Sequence, residues 1–168
     1  MTVSSAMAVP LRLIPIPAIE RATRLVFSHV MARHPGLFDR LGDYAHKRYG
    51  FIPSDLPVGF LVEPGKGRIS VHRKPDLPPT DAAVTGGFVL LLGLLEGRLD
   101  GDAVFFSRDL TVTGDMEAML ALRNALDDCN IDLPSDIGSL AGPFAPLVRR
   151  AASEIRSRVL PREAGQWN

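Results

Sequence analysis

The run LTVTGDMEAMLALRNALDDC, residues 110–129, contains the change of period on which the reading of the fold turns. Leu110-Thr-Val-Thr113 alternates apolar with polar side chains, the period of a strand with one covered face. Gly114-Asp115 interrupts it, and from Met116 to Cys129 the apolar residues recur at helical spacing. Asp115 stands where a helix needs an N-cap, since a carboxylate there accepts amide protons that the first turn leaves unpaired. A strand that runs through Gly-Asp into a helix is therefore expected.

Upstream, Val58-Gly-Phe-Leu-Val-Glu63 and Arg68-Ile-Ser-Val-His-Arg73 flank Pro64-Gly-Lys-Gly67, the pattern of a β-hairpin. A proline-rich loop, 75–79, leads to a short strand near 82–85. Gly86-Gly87 then opens the apolar run Phe88-Val-Leu-Leu-Leu-Gly-Leu-Leu95. This run reads as a short buried helix with Phe88, Leu91, Leu92 and Leu95 on one face. A buried strand stays open, because periodicity does not separate the two in so short a run. Nearer the N-terminus, LRLIPIP (11–17) is too rich in proline for a helix and reads as extended. A helix is expected after Pro17, with Ile19, Ala22, Val26 and Val30 on one side, ending at His34-Pro35-Gly36. Pro35 opens a second helix carrying Leu37, Leu41 and Tyr44; Gly50 stops it, and no strand pattern precedes Val58. Downstream, a loop over 130–142 leads to a last helix from Pro143, with Phe144, Leu147, Val148, Ala151, Ile155 and Val159 on one side. There is no internal repeat. The expected fold is α+β: a single domain with a mainly antiparallel sheet covered by helices around an apolar cavity. The expected organisation is an extended segment over 1–17, helices over 18–50, the sheet-bearing domain over 51–160 and a tail over 161–168.

Composition bounds the function. A chain of 168 residues, 46% apolar, is long enough to bury a core without disulfides. Its 19 basic and 19 acidic residues balance, which argues against a general nucleic-acid binder. The single cysteine, Cys129, has no internal partner, as in a reducing compartment. Residues 1–9 carry no basic start and Pro10 follows, so a secretory signal is a poor reading. The run Phe88–Leu95 is far short of the roughly 20 residues of a membrane span. A soluble, cytoplasmic protein is expected.

Catalytic and metal signals are weak. His29, His34, His46 and His72 have no i,i+4 partner among themselves, and no Cys-x-x-Cys pair exists, so no metal is expected. Cys129 reads as a packed small hydrophobe, and Asp127-Asp128 as solvated helix-end carboxylates. What stands out is a crowd of apolar side chains: Phe88, Leu91, Leu92, Leu95, Phe105, Phe106, Leu110, Val112, Met116, Met119 and Leu120. They form an ordinary core or line a cavity; spacing alone does not decide. The flexible thioethers of Met116 and Met119 suit an adaptable apolar pocket.

The order of segments over 80–130 resembles the lipid-binding domain of type-2 sterol carrier proteins. It comprises the strand Asp81-Ala-Ala-Val-Thr-Gly86, the apolar helix, Glu96-Gly-Arg-Leu-Asp100, Ala103-Val-Phe-Phe-Ser-Arg108 and Leu110-Thr-Val-Thr-Gly-Asp115 with its helix. Phe105-Phe-Ser-Arg-Asp-Leu-Thr-Val-Thr-Gly-Asp115 and Leu122-Arg-Asn-Ala-Leu-Asp127 are similar, more narrowly, to the UbiT accessory factors of ubiquinone biosynthesis. Ser107-Arg108 departs from the usual carriers, which have Gly before the last strand; the UbiT group has Arg there. The resemblance implies a non-catalytic carrier of a lipid or isoprenoid quinone precursor, acting without a cofactor in oxygen-independent ubiquinone synthesis. It implies the apolar residues above as the cavity lining, and the paired iron–sulfur hydroxylase proteins of that pathway as partners. Arg108 would pair with Asp109 or Asp115, or reach a ligand headgroup. Arg149, Arg150 and Arg156 on the last helix would make transient contact with an anionic membrane, peripheral at the inner membrane. Two other readings stay open: an adaptor with a closed core and no lipid, and an enzyme using Cys129 or a histidine.

Overall fold

The computed structural model describes residues 15–95, 109–129 and 131. Their elements, in chain order, are α1 (Ile16–Arg33), a 3-10 segment (Asp39–His46), β1 (Tyr49–Pro53), β2 (Val58–Glu63), β3 (Arg68–Arg73), β4 (Ala82–Gly86), α2 (Phe88–Leu95), β5 (Leu110–Gly114) and α3 (Met116–Asp127). The chain divides into two compact units, Met1–Ile131 and Asp132–Asn168, and every described element belongs to the first. The expected last helix from Pro143 lies outside the described residues.

The strands form one five-stranded sheet in the order β3-β2-β1-β4-β5. Pairings β1–β2, β2–β3 and β4–β5 are antiparallel, and β1–β4 is parallel. This is the mixed α+β domain that the alternating and helical periods predict. The hairpin forms where expected, with Val58 opposite Arg73 and Phe60 opposite Val71. The run 88–95 is a helix, and Asp115 caps α3 by accepting the Ala118 N–H at 3.0 Å.

Three expectations fail. Residues 49–53 are not a helix end but the central strand β1, so a strand does precede Val58. Nearly every position of β1 is buried, so no polar alternation marks it, and its Gly50 reads as a stop signal. Gly50 is instead a packing position: a Cβ there would lie 3.0 Å from the Thr80 methyl and 3.1 Å from that of Ala83. The second helix is a kinked 3-10 segment, broken at Gly42 (φ 50°, ψ −123°). Helix α1 begins before Pro17 rather than after it, because proline is tolerated in a first turn whose N–H groups have no helical partner.

Register sorts the sheet into two faces. Tyr49 and Phe51 of β1 share a face with Phe60, Val62, Val71 and Val84, their cross-strand partners or neighbours. Helix α1 packs on β3 at this face, where Ile16, Ile19, Phe60 and Phe88 surround the buried Leu56, Val58 and Val71. Helix α2 rests on β1 and β4, and α3 on β4 and β5. The opposite face carries Gly50, Gly59, Leu61 and Ala83; Leu77 of the proline-rich loop and Thr80 just after it lie against its glycines. Fully burying a leucine or valine contributes about 1.5–3 kcal/mol, so these two layers hold the domain together.

Candidate functional site

Helices α2 and α3 touch each other, both resting on β4, and most of the described sequence candidates lie on these elements and on β5. Leu91, Leu110 and Met119 are buried. Phe88, Leu92, Leu95 and Val112 are half-buried, and Phe88 stacks on Phe60 with ring centroids 6.5 Å apart. Met116 and Leu120 point outward, 54% and 46% exposed. Phe105, Phe106 and Arg108 lie outside the described residues, as do Arg149, Arg150 and Arg156.

The reason for this split is visible in α2. It is apolar on every side, so burial goes to Leu91 and Leu94, one turn apart, and not to the whole expected face. Leu94 and Phe60 are therefore members of the apolar assembly that periodicity did not single out. Phe60 was visible only as a hairpin residue; its contact with Phe88 crosses from sheet to helix.

Polar contacts flank α3 on the side of the 3-10 segment. The Arg40 guanidinium pairs with the Asp128 carboxylate. The Tyr44 hydroxyl donates to Glu117 Oε2 at 3.1 Å, and Lys47 Nζ lies 3.1 Å from Asp115 Oδ2. The Asp115 carboxyl is held below the usual carboxylate range, first by the Ala118 amide it accepts and then by Lys47. The Tyr44 phenol is raised because its proton is shared with Glu117. Tyr49, its side chain fully enclosed, donates to the Tyr44 carbonyl at 2.9 Å, and burial pushes its phenol up to about 12.

In the turn that packs on the 3-10 segment, Lys66 and Arg68 bracket the Glu63 carboxylate at 2.6 and 2.5 Å and hold its carboxyl below the usual range. Ser70 Oγ and His72 Nε2 are 2.9 Å apart on β3. Among the described residues no three His, Cys, Asp or Glu side chains are grouped to hold a metal ion, and no helix is long and apolar enough to cross a membrane.

The model of the SCP-2 sterol transfer family matches residues 27–127, more than half of the chain. The fold is similar to that of a structure described as a UbiJ-SCP2 ubiquinone synthesis protein. That match has 17% identity and a TM-score of 0.56, covering 71% of this chain and 98% of the other. It is also similar to sterol carrier protein domain 2 of Helicoverpa armigera, with 16% identity and TM-score 0.47 over 65% of this chain and 87% of that one. Sterol carrier protein 2 of Yarrowia lipolytica, in its apo form, gives 14%, 0.46, 64% and 91%. No individual curated protein matches significantly in sequence.

Proposed function

The chain belongs to the SCP-2 sterol transfer family, and on that premise we propose that it carries a hydrophobic molecule and performs no covalent chemistry on it. The observation that carries this reading is the half-open apolar assembly at α2 and α3. Phe88, Leu92, Leu95 and Val112 stay partly accessible, and Met116 and Leu120 of α3 are exposed. A contiguous apolar patch that stays accessible marks a surface that a ligand or partner covers. A prenyl or acyl chain suits them, since each CH₂ that leaves water contributes roughly 0.8 kcal/mol.

The cargo we propose is a lipid or an isoprenoid quinone precursor, and the setting is oxygen-independent ubiquinone synthesis beside the paired iron–sulfur hydroxylase proteins. Residues 105–115 and 122–127 support that setting through their likeness to the UbiT factors. Arg108 is the candidate for the headgroup, and Arg149, Arg150 and Arg156 for transient contact with an anionic leaflet. Reversing those three charges together should weaken sedimentation with anionic vesicles.

Mass spectrometry of an organic extract of the natively purified protein tests the carrier reading. A lipid or quinone in sub-stoichiometric amount is expected. Extracts repeatedly empty, from protein shown to be folded, would favour an adaptor with a closed core.

A further inference from the structure

The contacts between the 3-10 segment and α3 have an order along the chain. Arg40 meets Asp128 beyond the C-terminal end of α3, Tyr44 meets Glu117 in its first turn, and Lys47 meets its N-cap, Asp115. A regular 3-10 helix superposes every third residue, which would align 40 with 43 and 46. The break at Gly42 shifts that phase by one residue, so 40, 44 and 47 reach α3 instead.

The segment also has anchors besides these side-chain contacts. Leu37 and Leu41 are buried at 3% and 2% exposure, and the Tyr44 carbonyl is held by the enclosed Tyr49 hydroxyl. At the far end of α3 its hold is an exposed ion pair: the Arg40 and Asp128 side chains are 50% and 65% exposed, against 28% and 29% for Lys47 and Asp115. Exposed ion pairs are individually weak and screened by salt, so they open without disturbing the core. The side of α3 that carries the buried Met119 and Leu122 packs on β4 and β5, and the helix also touches α2.

We propose that residues 39–47 form a strap that clasps α3 and sets the rate at which a hydrophobic ligand enters and leaves at α2 and α3. The proposal rests on the carrier reading. A clasp that touches the helix but not the ligand changes how often α3 lifts, while the clasped state stays dominant. Exchange rates should therefore change far more than equilibrium affinity.

The test loads the full-length protein with a fluorescent fatty acid and follows its release to excess phosphatidylcholine vesicles by stopped flow. Arg40→Glu and the milder Tyr44→Phe should speed both uptake and release, by roughly three- to tenfold for the charge reversal. The dissociation constant should stay within about twofold. High salt should speed the wild type and leave Arg40→Glu nearly unchanged. The exchanged pair Arg40→Asp/Asp128→Arg should restore slow release. Hydrogen exchange over residues 115–128 should rise in the fast variants and fall back in the exchanged pair. Unchanged rates in variants that bind the probe overturn the strap alone. So does an affinity that falls in step with thermal stability, the mark of a merely structural contact. A folded wild type that takes up no probe overturns the carrier reading, and the strap's role with it.

Discussion

Gly114 ends β5 with φ 82°, a conformation that side-chain-bearing residues rarely adopt. A Cβ there would overlap the carbonyl oxygen of Asp81, which already accepts the Asp115 N–H at 2.8 Å. Gly114→Ala should therefore destabilise the domain by about 2 kcal/mol or more, read as a lower midpoint in urea unfolding. An unshifted midpoint would mean that the turn relaxes freely. Asp115, one residue on, couples this turn to the cap of α3. Its carboxyl ionises more readily folded than unfolded, so its contribution is complete above the ordinary carboxylate range. That contribution is lost as pH falls through the lower, folded value. Glu63 behaves the same way because of Lys66 and Arg68. Stability should fall below about pH 4, and Asp115→Asn should flatten part of that acid limb in urea titrations at stepped pH. The N-cap role of Asp115 was legible in sequence, since capping is local; its pairing with Lys47 was not, because 68 positions of chain separate them.

At the scale of the element, α3 separates structural from exposed apolar positions within one turn. Met119 is 1% exposed and Leu120 is 46% exposed. Met119→Ala should cost about 2–5 kcal/mol, because it leaves a cavity under the helix. Leu120→Asp should change thermal stability little yet weaken binding of a fluorescent fatty acid several-fold, if the apolar assembly holds the cargo. Equal affinity for wild type and Leu120→Asp would remove Leu120 from the binding surface. The sequence identified α3 by its period and cap, and read α2 as a helix from the shared face of Phe88, Leu91, Leu92 and Leu95, with a buried strand left open. That face is only partly the buried one, Leu91 and Leu94, because a helix apolar on all sides has no preferred side until neighbours supply one. Strand β1 escaped for a related reason: buried on both faces, it has no polar alternation to mark it.

For the whole molecule, a carrier that works by burial alone has no need of a nucleophile or a titrating base. Alanine at His29, His34, His46 or His72 in turn, and serine at Cys129, should leave complementation of a deficient strain nearly intact. One such change that abolishes activity in a folded protein would instead argue for catalysis. Local signals by themselves determined the α+β class, the hairpin, the helical state of α3 and its cap. Each of these depends on residues within a few positions of one another. Tertiary structure alone decided the order β3-β2-β1-β4-β5, the parallel pairing of β1 with β4 and the lie of Leu77 and Thr80 across the second face. It also decided the meeting of Arg40 with Asp128, 88 residues apart. Periodicity states which side of an element seeks cover; only the assembled chain supplies what covers it.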